Sequence, residues 1–175
     1  MAITRLNHAV LFVSDLGRSA AFYHEVLGFT RVDMTPEGFG GAVFLRAPDS
    51  DNDHDLGLFE LGATAQPSEA GRSTVGLYHL AWEVDTLAEL ERLRTTLDGA
   101  GALVGSSDHG TTKSLYGKDP DDIEFEIAWL VPFDQLDEAT LAARKSIVAL
   151  DLAREKERYG AHTAGGMAGA RRDRA

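Results

Sequence analysis

The chain contains no cysteine. That excludes a disulfide framework, a thiolate metal site and a cysteine nucleophile. Positive charge is scarce: 17 Lys and Arg stand against 28 Asp and Glu, a formal net charge of -11. A surface of that sign repels phosphate backbones and anionic lipid, so neither nucleic acid nor a membrane is expected as a partner. Long apolar runs are missing too. The longest near the start, residues 9–13, is far too short for a membrane span or a secretory signal, and a cytoplasmic protein is expected. What remains is 175 residues, 43% of them hydrophobic, which suits one globular domain with room for a tail.

Residues 6–13 read as a strand, and Ser14 and Asp15 after it are residue types that cap helix N-termini. A helix is predicted over 16–27, with Ala20, Phe22, Tyr23, Val26 and Leu27 as its apolar stripe and Gly28 as its stop. Strands are predicted over 30–34, 41–46 and 55–61, with a polar loop at 48–54. A connector rich in Gly, Ala, Pro and Ser covers 62–73. The pattern then restarts with a strand over 76–84. A helix over 86–100 follows, striped by Leu87, Leu90, Leu93 and Leu97, and then strands over 103–106, 112–118 and 123–130.

The two halves overlay. His8, Val13 and Leu16 match His79, Val84 and Leu87 at an offset of 71, and Phe59-Glu60-Leu61 matches Phe125-Glu126-Ile127 at 66. The chain therefore reads as two βαβββ modules, 4–63 and 74–131, in an α+β fold. Residues 134–159 are predicted as a C-terminal helix capped by Asp134 or Asp137. Residues 160–175, rich in glycine and ending in an arginine cluster, are predicted as a disordered tail.

His8, Glu60, His79 and Glu126 each fall within a predicted strand among apolar neighbours. A glutamate there needs a partner, and two histidines with a carboxylate bind divalent metals while leaving positions open for substrate. Glu124 shares a strand face with Glu126, and alternation does not choose between them; the overlay with Glu60 favours Glu126.

The chain resembles the vicinal oxygen chelate superfamily, which includes glyoxalase I, bleomycin and fosfomycin resistance proteins and type I extradiol dioxygenases. The resemblance covers 4–131. It rests on Asn7-His8-Ala9-Val10 with Val13-Ser14-Asp15-Leu16, on Phe22-Tyr23 with Val26-Leu27-Gly28-Phe29, on His79-Leu80-Ala81-Trp82, and on Asp119-Pro120-Asp121 leading to Glu126. It implies paired modules forming a cup-shaped mixed sheet around one metal, held by His8, His79 and Glu126. Glu60 is the possible fourth ligand, as in glyoxalase-like members; extradiol enzymes use three. Fe(II) is the metal this implies first, with Mn(II), Ni(II) or Zn(II) as others, and small members of the family commonly form homodimers.

Tyr116, ten residues before Glu126, and His109 upstream of it resemble the extradiol pattern. There a tyrosine donates a hydrogen bond to a substrate oxygen and an imidazole moves a proton. The chain departs from the family at Asp122 and Ile123, where Gly and Asn usually follow Asp-Pro-Asp. It also lacks a histidine about fifteen residues before His79. The acid–base role then falls to His109 or to His54. The resulting expectation is an extradiol-type dioxygenase acting on a catechol-like aromatic and O2. The alternatives are a glyoxalase- or epimerase-like enzyme using both glutamates, and a drug-binding resistance protein without catalysis.

Overall fold

The computed structural model describes residues 2–3, 5–34, 40–70 and 73–166. Two compact units divide the chain: Met1–Ser68 with Asp119–Ile123, and Glu69–Lys118 with Glu124–Ala175. Each carries one βαβββ module and one four-stranded mixed sheet. No helix among the described residues is long and apolar enough to cross a membrane.

In the first unit β1 (Ala9–Val13) leads into α1 (Leu16–Glu25), and then β2 (Thr30–Val32), β3 (Ala42–Arg46) and β4 (Leu56–Glu60) complete the sheet. Its order is β1-β4-β3-β2, with β1 parallel to β4 and the other pairs antiparallel. Asp15 caps α1 by accepting the Arg18 N–H at 2.8 Å. One sheet face presents Leu11, Val13, Leu56, Leu58 and Leu45, all buried, and α1 packs on β3 and β4 with Ala20 and Tyr23 buried. The Asp119–Ile123 turn is fastened here. Tyr23 donates its hydroxyl to Asp119 at 3.2 Å, and Ser14 N–H donates to Asp121 at 2.9 Å. Burial raises both the Tyr23 phenol, well above its ordinary value, and the Asp119 carboxyl.

In the second unit β5 (His79–Glu83) and α2 (Leu87–Gly99) are followed by β6 (Leu103–Asp108), β7 (Thr112–Lys118) and β8 (Glu124–Leu130), in sheet order β5-β8-β7-β6. Thr86 caps α2 from the Glu89 N–H at 3.2 Å, and Leu87, Leu90, Leu93 and Leu97 form its buried stripe. The opposing sheet face offers Leu115, Phe125, Ile127 and Trp129, all nearly inaccessible.

The C-terminal segment differs from the single predicted helix. It forms α3 (Glu138–Ala143), capped by Asp137, and α4 (Leu152–Tyr159), capped by Asp151. Between them Val148 leaves helical geometry to bridge Asp108. Residues 160–166, predicted as part of the disordered tail, are instead packed on the second unit. Gly165 N–H donates to Asp85 at 2.8 Å, and Trp129 donates to the Thr163 carbonyl at 3.4 Å. A Cβ on Gly165 would collide with Trp129 and the Leu130 carbonyl, so glycine here serves close packing. The arginine cluster at 171–174 lies outside the described residues.

Candidate metal and acid–base site

Strand alternation sorts the second sheet into an apolar face toward α2 and a polar face. Register places Tyr116 opposite Glu126, Ala81 opposite Glu126, and Ser107 opposite Ser114. Directly paired residues share a face, so His79, Glu124, Glu126, Ser114, Tyr116 and Ser107 stand on one side of the sheet.

Two clusters form there. In the first, His79 Nε2 lies 3.2 Å from Glu126 Oε2, while Glu126 Oε1 accepts the Ser114 hydroxyl at 2.5 Å. In the second, His109 Nε2 lies 3.0 Å from the Tyr116 hydroxyl and 2.8 Å from the Ser107 hydroxyl. The rings of His79 and Tyr116 are 6.1 Å apart, so the clusters adjoin. Glu124 is engaged elsewhere. It accepts from Tyr78, and that hydrogen bond raises the Tyr78 phenol above its ordinary value. Between the two glutamates that alternation left open, Glu126 is the one that meets His79.

The donor chemistry of the first cluster fits a divalent metal. Two donors bonded at about 2.1 Å and at right angles stand about 3.0 Å apart, close to the His79–Glu126 separation. His79 Nδ1 is buried without a hydrogen-bond partner, so the contact with Glu126 through Nε2 is the polar contact that engages this ring. Among the described residues no group of three or more His, Asp and Glu side chains is gathered around one metal position.

The other predicted residues belong to the first unit. His8 lies just before β1, exposed, with Nδ1 2.7 Å from Asn7 Oδ1. Its ring meets His54 at 4.5 Å, and His54 meets Phe44 at 5.2 Å. His8 thus lies on the Val10 and Phe44 side of that sheet. Glu60 pairs with Val13 and so lies on the other side, toward α1. There its carboxylate accepts the Leu16 N–H, at the start of that helix, at 3.1 Å. A carboxylate so placed satisfies a free helical donor and the positive end of the helix dipole.

Register also revises the overlay behind Glu60. Ala9 pairs with Leu56 as Leu80 pairs with Phe125, which sets the β4–β8 offset at 69 rather than 66. The counterpart of Glu126 in the first module is therefore Gly57, and that of Glu60 is Trp129. A three-residue slip is odd, so it moves a side chain to the opposite face.

Ser107 and Ser114 were not singled out from the sequence. Ser114 was accessible to it: two residues before Tyr116 on one strand, it must share that face. Ser107 depends on the β6–β7 pairing, which periodicity does not supply.

The chain matches the family model of the Glyoxalase/Bleomycin resistance protein/Dioxygenase superfamily over residues 5–127. A catechol-2,3-dioxygenase of Bacillus subtilis (strain 168) is 29% identical over 125 residues, covering 67% of this chain and 39% of that protein. The chain thus spans well under half of that relative's length. A glyoxalase/dioxygenase structure from Nostoc punctiforme aligns at a TM-score of 0.58 and 24% identity, covering 71% of this chain and 89% of that one. A fosfomycin resistance protein, FosX, of Listeria monocytogenes, solved with Mn(II) and a dihydroxypropylphosphonic acid, aligns at 0.56 and 17% identity, covering 72% and 92%. These two structures share the fold with this chain. With a family model spanning more than half its length, and with both of its modules folded as βαβββ units, the chain belongs to the glyoxalase/bleomycin resistance protein/dioxygenase superfamily.

Proposed function

We propose that this protein is a metal-dependent extradiol-type dioxygenase that opens a catechol-like aromatic ring, with Fe(II) as its metal and with His79, Glu126 and His8 as the ligands. The observation that carries the reading is the Tyr116–His109 pair, 3.0 Å apart, on the sheet face that also presents His79 and Glu126. A phenol and an imidazole in contact beside a metal-binding pair suit a substrate that must lose, hold and regain protons on oxygen. The catechol dioxygenase relative supports the same chemistry.

The metal would hold the substrate oxygens and dioxygen side by side and mediate electron flow between them. Ser114 orients Glu126 by donating to its second oxygen. Tyr116 donates its hydroxyl proton to the charged substrate oxygen, a charge-assisted bond. His109, supported by Ser107, fixes the direction of that phenol and exchanges a proton with it. The isomerase reading needs a second carboxylate beside the metal, and the helix-side position of Glu60 does not favour it.

Metal content tests the ligand set. Wild-type protein should hold one divalent ion per chain, as should Glu60→Gln. Single changes His8→Ala, His79→Ala and Glu126→Ala should each lose most of it. Stoichiometric metal in a His8→Ala/His79→Ala double variant would overturn the assignment.

A further inference from the structure

We infer that the C-terminal segment, from Asp137 to Tyr159, holds the His109 turn in its working position. It does so through an ion cluster of buried Lys113 and Glu155 with partly buried Asp108, with Lys113 as the positioning residue. The inference rests on the role proposed above for His109.

Lys113 points to the sheet face opposite the Tyr116 site and is only 1% exposed. Its Nζ lies 2.6 Å from Asp108 Oδ1 and 2.8 Å from Oε2 of Glu155 on α4, which is 2% exposed. Burying Lys113 and Glu155, with Asp108 partly covered beside them, is a poor way to gain stability, because desolvation offsets most of their attraction and an apolar filler does as well. Such a cluster is better suited to fixing one arrangement of the elements it joins.

What it fixes is the turn after β6. Asp108 immediately precedes His109, and the Oδ1 atom that faces Lys113 also accepts the Gly110 N–H at 2.7 Å. The same segment grips this turn twice more. Asp108 and Val148 exchange both backbone hydrogen bonds, at 2.9 and 3.1 Å. Gly110, buried and at φ 77°, packs so closely on α3 that a Cβ there would stand 2.7 Å from the Thr140 carbonyl oxygen. The Thr140 and Tyr159 hydroxyls, 3.1 Å apart, tie α3 to α4. Three grips from one segment thus converge on Asp108–Gly110. The His109 ring makes its own polar contacts on the other side, to Ser107 and Tyr116. Lys113 therefore acts on the site through the backbone of the turn and touches no reacting group.

The test uses the metal-free full chain, with ring nitrogen resonances of His109 and amide exchange read by NMR. In Lys113→Met the His109 ring should lose the signature of its hydrogen bond to Tyr116. Exchange at Asp108 and Gly110 should accelerate about tenfold or more, while α2 keeps its wild-type protection. In the iron-loaded enzyme kcat should fall about tenfold with little change in KM, and Lys113→Arg should recover most of both signatures. Unchanged His109 resonances in Lys113→Met, or protection lost equally across α2 and β8, would overturn the inference. Glu155→Gln keeps the side-chain shape and decides the matter if Lys113→Met does not fold: the same local changes support the inference, and their absence overturns it. Because the NMR readout needs no turnover, these failures are distinct from a failure of the dioxygenase reading, which shows as absent oxygen uptake by the wild type.

Discussion

His79 Nε2 meets Glu126 at 3.2 Å, although the residue directly opposite His79 on the neighbouring strand is Glu124. The imidazole reaches diagonally along the sheet, and Glu124 is left to accept from Tyr78. Two glutamates on one strand face thereby acquire different work from their neighbours. Glu126 is the one whose carboxylate meets the His79 imidazole with one oxygen and accepts the Ser114 hydroxyl with the other.

The Ser114 hydroxyl holds Glu126 at 2.5 Å and is fully buried. Ser114→Ala leaves His79 and Glu126 in place and removes only this support. Metal affinity should weaken about 10- to 100-fold, measured by competition with a chelator. Unaltered affinity would show that Glu126 needs no orienting partner.

Tyr116→Phe removes one donor and keeps the ring. A hydrogen bond to a charged oxygen contributes about 1.5–3 kcal/mol, so the turnover rate should fall about 10- to 150-fold if the bond forms only in the transition state. Metal content should stay at the wild-type level. Loss of metal together with activity would instead make the phenol part of the ligand sphere.

Acid should loosen α3 first. The Thr140 hydroxyl and N–H, with Arg158, hold the Asp137 carboxyl down at about 2. A carboxyl lowered by folding contributes stability that is complete above its unfolded value of about 4 and is lost as pH falls toward the folded value. Protection of the Thr140 amide should therefore decline between about pH 4 and pH 2. Asp137→Asn should flatten that decline. A decline of the same size in the variant would place its cause elsewhere.

Much of this fold was legible in the sequence because its signals are local. Asp15 before an apolar stripe, Leu87-Leu90-Leu93-Leu97 at helical spacing, and Asp119-Pro120 before a strand each act over a few residues. The β4–β8 correspondence was not local. Two Phe-Glu pairs invite an overlay that strand pairing shifts by three residues, and an odd shift carries Glu60 from one face to the other. The break between α3 and α4 was hidden for a similar reason, since Val148 pairs with a strand forty residues earlier. Asp137 and Asp151 were in fact two caps for two helices. Composition misread residues 160–166, where glycines that suggest disorder are needed for close packing on Trp129. The Tyr116–His109 contact spans a tight antiparallel pair, which is why its residue types in sequence order were informative.

Oxygen consumption tests the central claim most directly. Protein loaded with Fe(II) without air, then mixed with dissolved oxygen and a panel of catechols, should take up one O2 per ring opened and form a yellow ring-cleaved product. His79→Ala should take up none. Full Fe(II) occupancy with no catechol-dependent oxygen uptake anywhere in the panel would contradict the account.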